Sequence, residues 1–299
     1  MLILLNRNFL FISAIIIGLL FGDRLVVFSS LNLPILILIM TFSMIELNIL
    51  ELLVIRKVYK QAVSGILLNH FLFSIIILAA GFLITDDESM RAGFVLCAAS
   101  PPGIGIIPFT YILSGNVKFS AIAVFWSFIA SLLITPFLID FFIQENLIST
   151  EKIAIMLTEL ILIPLAAGQL LRRLKAERVS RKLHSPVVNI GFAIIFAIMI
   201  GINRNSLLSG GYFFLKALIV SFISVFGLAV IIKLYLKTTK IPVPVKKSVI
   251  LLGTIKNSIF AATAGFSLLN RTAAIPGLVL SIVIIFYLMM VEKICYFDN

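Results

Sequence analysis

Ten apolar segments follow one another along the 299-residue chain, separated by short linkers. A helix rises 1.5 Å per residue, so about 20 apolar residues span a hydrocarbon core of roughly 30 Å. The segments are residues 8–28, 31–50, 61–84, 90–114, 119–143, 152–171, 184–203, 211–234, 246–269 and 273–292. Hydrophobic residues make up 61% of the chain and charged residues 12%. The sequence therefore predicts an all-α polytopic membrane protein with ten transmembrane helices.

The basic residues are distributed unequally among the linkers. With the N-terminus in the cytoplasm, seventeen lysines and arginines fall on the inner side and five on the outer side. Cytoplasmic loops of membrane proteins carry such an excess of basic residues. We therefore expect both termini in the cytoplasm, and the short termini favour a bacterial inner (plasma) membrane. This distribution accounts for the net charge of +11 without a nucleic-acid partner.

Ten spans divide into two sets of five. Because five is odd, the second set begins on the opposite side of the membrane and is inverted relative to the first. This count predicts two inverted repeats, residues 1–148 and 149–299, as in many secondary transporters. The fourth member of each set is interrupted, because proline removes a backbone donor and clashes with the preceding turn, and glycine weakens a helix. The predicted break residues are Pro101, Pro102, Gly103, Gly105 and Pro108 in the fourth span and Gly253 in the ninth.

Lys256 lies near the middle of the ninth span. An ammonium at that depth costs at least about 2.5–3.5 kcal/mol, so it needs a partner, water or a function. A fixed ammonium would attract an anion, and one that exchanges its proton in each cycle would give proton coupling. The alternative is a buried ion pair that only stabilises the fold. Glu159 in the sixth span is the candidate partner, because its depth differs from that of Lys256 by only about 5 Å.

A family resemblance rests on the residues around the two breaks. The motifs are Ser100-Pro101-Pro102-Gly103, Thr110-Tyr111, Ser114-Gly115-Asn116-Val117 and Lys256-Asn257. With them the chain resembles the bile acid:sodium symporter family. The resemblance implies a panel of spans 1, 2, 6 and 7 and a core of spans 3–5 and 8–10, in which the two broken helices cross. It also implies transport of an organic anion, such as a bile acid or a keto acid, driven by two sodium ions.

The chain departs from the family where sodium ligands are expected. Ile106 and Ile107 stand where sodium-coupled members usually carry serine and asparagine, and Leu252 and Lys256 stand where they carry glutamate and glutamine. Sodium prefers hard oxygen ligands, which these four side chains lack. We therefore expect that both sodium sites are lost, that the protein holds no metal or other cofactor, and that Lys256 supplies the missing positive charge.

Several polar residues are candidates for the remaining roles. Asn257 is the first candidate for contact with the substrate, because it matches an asparagine of the family, and Thr110 and Ile104 are further candidates. Asn69 and His70 in the third span are candidates for coupling. A histidine in a helical bundle can equally be a hydrogen-bonded packing residue.

Three functions remain open at this stage. We expect a secondary transporter that moves a small organic anion by alternating access, without sodium or coupled to protons, and that acts as a monomer in the lipid bilayer. The alternatives are a transport-inactive sensor or scaffold of the same fold and an ordinary sodium:organic anion symporter. An enzyme is not expected, because we recognise no catalytic pair of aspartates, no His-Glu-x-x-His motif and no catalytic serine–histidine arrangement in the sequence.

Overall fold

A computed structural model describes residues 7–45, 55–103, 105–143, 150–174, 177–202, 204 and 211–295. Within these ranges the secondary structure is helical, apart from turns and one isolated β-bridge. The predicted all-α membrane protein is confirmed at this level. Contacts between residues divide the chain into two units, the first formed by residues 1–49 and 151–212 and the second by residues 50–150 and 213–299.

The first unit contains four of the described α-helices. They are α1 (Arg7–Leu25), α2 (Asn32–Ile45), α8 (Thr150–Arg173) and α9 (Glu177–Ile202). Helices α1 and α2 both pack against α9. Glycine permits the close approach of α1, because a Cβ atom at Gly18 would lie 2.8 Å from the carbonyl oxygen of Ala197. Small residues at helix contacts are typical of membrane bundles.

The second unit contains the remaining described α-helices. They are α3 (Ile55–Ile66), α4 (Phe73–Ile84), α5 (Glu88–Ala99), α6 (Ile106–Ile112), α7 (Val117–Phe142), α10 (Tyr212–Phe222), α11 (Leu228–Lys237), α12 (Val243–Thr254), α13 (Ser258–Ala264) and α14 (Arg271–Ile294). One π-helical segment, Leu67–Leu72, joins α3 to α4, and another, Ile223–Gly227, joins α10 to α11. A third, Gly265–Leu269, follows α13.

Four helical stretches in the described residues are long and apolar enough to cross a membrane. They are Val58–Ile84, Val117–Phe142, Tyr212–Lys237 and Arg271–Val291. Shorter apolar helices are Phe9–Gly22, Val26–Phe42, Pro186–Ile202 and Ser258–Leu269. The long stretches fall in predicted spans 3, 5, 8 and 10. The total of ten spans and their repeat arrangement stay predictions.

Side-chain caps fix the ends of several helices in the second unit. Asp87, Asn116, Asn257 and Asn270 each accept a hydrogen bond from the backbone N–H three residues later, and they begin α5, α7, α13 and α14. Aspartate and asparagine are favoured at this position because the first N–H groups of a helix have no partner inside it. Of these caps, that of Asn257 begins α13 directly after the break in the ninth span.

Candidate functional site

The two interrupted spans meet at their breaks. Helix α5 ends at Ala99 and α6 begins at Ile106, while α12 ends at Thr254 and α13 begins at Ser258. Between these helices, Pro102 and Lys256 form an antiparallel bridge. The N–H of Gly103 donates to the oxygen of Ile255 at 3.1 Å, and the N–H of Asn257 donates to the oxygen of Pro101 at 2.9 Å. The crossing thus satisfies backbone groups that a break exposes inside the bilayer.

Glycine is required at one position of this crossing. A Cβ atom at Gly103 would lie 2.6 Å from the Ile255 side chain and 3.0 Å from the oxygen of Lys256. At Gly105 the nearest atom to a Cβ would be a ring carbon of Phe109 at 3.6 Å, which is an ordinary contact. Gly105 therefore precedes α6 without a comparable steric demand.

The other predicted break residues occupy different positions. Pro101 and Pro102 lie in the extended segment between α5 and α6, whereas Pro108 lies within α6. Gly253 lies in the last turn of α12, where a Cβ atom would collide with the side chain of Ile232. Ile104 lies outside the described residues.

Lys256 is buried at the crossing, with 2% of its surface exposed. Its Nζ donates a hydrogen bond to the backbone oxygen of Ser100 at 2.6 Å. The same Nζ lies 5.8 Å from the centre of the Phe73 ring, within the range of a cation–π interaction. The ammonium therefore interacts with a carbonyl group and an aromatic ring within the second unit.

The end of α5 is a favourable place for this charge. A helix leaves its last four carbonyl groups without partners inside the helix, and its C-terminus carries a partial negative charge. The three carbonyl oxygens before that of Ser100 each accept a hydrogen bond from a side-chain hydroxyl group at 2.6–2.8 Å. Ser100 Oγ donates to the oxygen of Cys97, Ser74 Oγ to that of Ala98, and Thr135 Oγ1 to that of Ala99. Lys256 Nζ donates to the fourth of these carbonyl oxygens, that of Ser100.

Asn69 holds the end of α12 beside Lys256. Its Nδ2 donates to the oxygens of Leu252 and Ile255 at 3.1 and 3.2 Å, and its side chain is fully buried. The oxygen of Ile255 also accepts the hydrogen bond from Gly103. Asn69 therefore links the third span directly to the crossing.

His70 faces a different helix from its neighbour Asn69. Its Nε2 lies 3.0 Å from the backbone oxygen of Ser127 and 3.1 Å from Ser131 Oγ, both on α7. A π-helical segment shifts the helical register, and here it buries two consecutive polar residues against different elements. His70 is thus buried against α7.

The candidate substrate residues take part in local hydrogen bonds. Asn257 is 6% exposed, and its Oδ1 accepts from the N–H of Phe260 as the cap of α13. Thr110 is fully buried, and its hydroxyl contacts the oxygen of Ile106 and the hydroxyl of Ser120 at 2.7 and 2.8 Å. Their contact with a substrate stays a prediction.

Three of the four positions where the family resemblance predicts sodium ligands carry apolar side chains. Ile106 and Leu252 are fully buried, and Ile107 is half-buried. Glu159 is half-buried on α8 in the first unit, whereas Lys256 belongs to the second. The Glu159–Lys256 pair stays a prediction.

The sequence reasoning missed the residues that surround the charge. Ser100 and Thr135 belong to motifs of the resemblance but have no predicted role at this charge, and Ser74 and Phe73 belong to no predicted motif. A signal was available, because a helix broken by Pro101 must have its last carbonyl groups satisfied. Hydroxyl residues on neighbouring spans were the natural candidates for that role.

Broken helices that cross within an apolar bundle, with buried polar groups at the crossing, are a feature of secondary transporters. The protein is a membrane transporter. The sequence model of the sodium bile acid symporter family matches residues 33–210, and the chain belongs to that family. A relative in Bacillus subtilis (strain 168), named as the uncharacterized sodium-dependent transporter YocS, is 22% identical over 232 residues. The aligned region covers 76% of this chain and 71% of the relative.

Proposed function

We propose that the protein carries a small organic carboxylate across the membrane without sodium, with the ammonium of Lys256 in place of the sodium ion. The observation that supports this proposal most directly is the position of Lys256, buried at the crossing with its Nζ on the oxygen of Ser100. By the family resemblance, sodium-coupled members usually carry a glutamine at this position. The lysine brings a positive charge that does not have to be recruited from solution.

The charge of Lys256 is available to an anion. Its acceptor is a carbonyl dipole, which carries no net charge to cancel the ammonium. A carboxylate about 4 Å away would gain roughly 4 kcal/mol at an effective dielectric constant of about 20. Asn257, next to Lys256, is the proposed second contact. A site with one fixed cation favours a monoanion.

We further propose that the chain contains inverted repeats and ten spans. An offset of 154 residues relates the bridge partners Pro102 and Lys256, and the same offset relates the helix caps Asn116 and Asn270. Each of these two asparagines also contacts the helix that precedes the break in the other interrupted span. The backbone N–H and oxygen of Asn116 contact Ser248 Oγ in the middle of α12, and Nδ2 of Asn270 donates to Ser89 Oγ at the start of α5. These pairings support a pseudo-twofold axis through the crossing.

In this proposal, the first unit serves as the panel and the second as the core of an alternating-access transporter. The first unit contains predicted spans 1, 2, 6 and 7, and the second contains spans 3–5 and 8–10. The protein acts as a monomer in the bacterial inner membrane with both termini in the cytoplasm. The excess of basic residues in the predicted inner loops supports that orientation.

The main competing function is ordinary sodium symport, which the printed name of the Bacillus subtilis relative favours. The apolar side chains of Ile106 and Leu252 argue against it, because they offer no oxygen ligand. A transport-inactive sensor is the second alternative. It shares the fold, so only a measurement of transport separates it from a carrier.

The test is uptake of labelled monocarboxylates, including keto acids and bile acids, into proteoliposomes. Sodium is replaced by potassium, with and without a pH gradient. We expect uptake in potassium and little change when sodium is added. Dependence on sodium would refute the proposal, and absence of uptake for every anion would favour the sensor. Lys256→Gln should reduce uptake strongly, whereas Lys240→Gln removes an exposed lysine and serves as the control.

A further inference from the structure

The break in the ninth span has no proline to enforce it. The fourth span carries Pro101 and Pro102 at its break, whereas residues 251–258 contain no proline. Proline interrupts a helix by itself, because it lacks a backbone donor and clashes with the preceding turn. Without it, a continuous helix from Thr254 to Ser258 would satisfy the backbone groups that the break exposes. Contacts with other elements must therefore hold this break.

Helix α14 contacts both residues that border the ninth-span break. Thr254 is the last residue of α12, and Ser258 is the first residue of α13. Thr254 Oγ1 lies 3.2 Å from the hydroxyl oxygen of Tyr287. Ser258 Oγ lies 2.8 Å from Ser281 Oγ. All four side chains are buried. Helix α14 therefore links the two half-helices on either side of Lys256.

Tyr287 donates the hydrogen bond to Thr254. Thr254 Oγ1 also lies 2.8 Å from the backbone oxygen of Ile250. A hydroxyl group has one hydrogen and a carbonyl oxygen only accepts, so Thr254 donates to Ile250 and accepts from Tyr287. The Tyr287 ring is fully buried and packs edge to face on Phe226, with 5.4 Å between the ring centres. This packing fixes the place from which the hydroxyl group donates.

Ser281 forms the corresponding link to α13. Its Oγ lies 2.9 Å from the backbone oxygen of Gly277, so by the same reasoning Ser281 donates to Gly277 and accepts from Ser258. Ser281 and Tyr287 are six residues apart in one continuous helix, which corresponds to about 9 Å along its axis. A rigid helix therefore fixes the separation of the two helix ends that it contacts.

We propose that Tyr287 and Ser281 are positioning residues that hold the ninth-span break extended and thereby set the position of Lys256. Lys256 is the middle residue of the break, residues 255–257. A helix through these residues would shorten the segment, because an extended residue rises about 3.3 Å and a helical one 1.5 Å. It would also turn Lys256 away from the oxygen of Ser100, to which its Nζ donates. The role rests on the proposed function, because the position of the charge determines how strongly it attracts the anion.

A small displacement of the ammonium has a measurable effect on uptake. At an effective dielectric constant of about 20, moving this charge from about 4 Å to about 5 Å from a carboxylate weakens binding about fourfold. We expect Tyr287→Phe and Ser281→Ala each to raise the KM for uptake by about this factor, with kcat changed by less than about twofold. In a Lys256→Gln background, Tyr287→Phe should lose this effect on KM. The same rise in that background would overturn the proposal, because Tyr287 would then act without the ammonium.

Hydrogen–deuterium exchange tests the positioning without any transport. The full-length protein is reconstituted in lipid, and exchange is followed by mass spectrometry in peptides that contain residues 255–257. The reporter is the N–H of Asn257, which donates to the oxygen of Pro101. Tyr287→Phe and Ser281→Ala should each speed exchange of this segment at least about fivefold, with exchange in α4 changed by less than about twofold. Unchanged exchange of the segment, or an equal rise in α4, would overturn the proposal.

Ser224→Ala is the matched control. Ser224 is fully buried, and its hydroxyl donates to the oxygen of Val220 one turn earlier rather than to the break. It should leave both the KM and the exchange of residues 255–257 unchanged. An effect equal to that of Ser281→Ala would show that loss of any buried hydroxyl loosens the break and would overturn the proposal. If the parent protein shows no uptake, the proposed function fails, and the exchange measurement still decides whether Tyr287 and Ser281 hold the break.

Discussion

Replacing Lys256 with methionine separates a functional charge from one that only stabilises the fold. Methionine keeps the unbranched shape and removes the ammonium. The substitution eliminates the hydrogen bond to the oxygen of Ser100, and a hydrogen bond from a charged group contributes about 1.5–3 kcal/mol. It also removes the cost of burying an ammonium, which is at least about 2.5–3.5 kcal/mol at the centre of a membrane helix.

These two effects have opposite signs and similar size. We therefore expect the free energy of unfolding of Lys256→Met to lie within about 1 kcal/mol of the parent value, as is often found when buried charged groups become apolar. The effect on substrate binding should be far larger. Loss of an attraction of roughly 4 kcal/mol corresponds to two to three orders of magnitude in affinity.

The two buried cysteines provide the stability assay. Cys97 and Cys295 are 0% and 1% exposed, so a thiol-reactive fluorophore labels them as the protein unfolds on heating. Uptake into proteoliposomes measures the functional effect on the same preparation. Lys240→Met, at an exposed position, is the matched control. A large fall in melting temperature with uptake retained would show that Lys256 is a structural residue and would refute the reasoning.

Three further predictions concern the crossing. Gly103→Ala should lower both the melting temperature and uptake, because its new Cβ atom would lie 2.6 Å from the nearest side chain. Gly105→Ala is the control, because its Cβ atom would lie 3.6 Å from the nearest atom, and it should change stability by less than about 0.5 kcal/mol. Equal effects of the two substitutions would contradict the steric argument. Asn69→Leu leaves a buried carbonyl without its donor and should cost about 1–3 kcal/mol in thermal unfolding; an unchanged melting temperature would count against that hydrogen bond. Leu252→Glu combined with Lys256→Gln restores two oxygen-bearing side chains, and uptake by this double variant should then rise with sodium concentration. If its uptake stays independent of sodium, other sodium ligands are missing.

The sequence predicted the breaks because proline and glycine act locally. Pro101 and Pro102 interrupt the helix wherever the rest of the chain lies, so their effect needs no tertiary information. The acceptor for Lys256 is a different case. Every residue has a carbonyl oxygen, and the exposed end of α5 becomes the partner only when the two broken spans cross at Pro102 and Lys256. Sequence patterns do not encode that pairing.

The π-helical segment Leu67–Leu72 was also beyond prediction. In a regular helix, neighbouring residues point about 100° apart around the helix axis. From the periodicity of the apolar residues, at most one of two adjacent polar residues is therefore expected on the face that contacts another helix. Here Asn69 contacts α12 and His70 contacts α7. Both contacts depend on the packing of three elements around the segment. The chemistry of the two residues was visible in the sequence, but their separate partners were not.

The kind of acceptor beside Lys256 bears directly on how the site would work. A carboxylate partner would cancel the ammonium, and an arriving anion would then have to displace it. The carbonyl of Ser100 stabilises the ammonium and leaves its full charge in place.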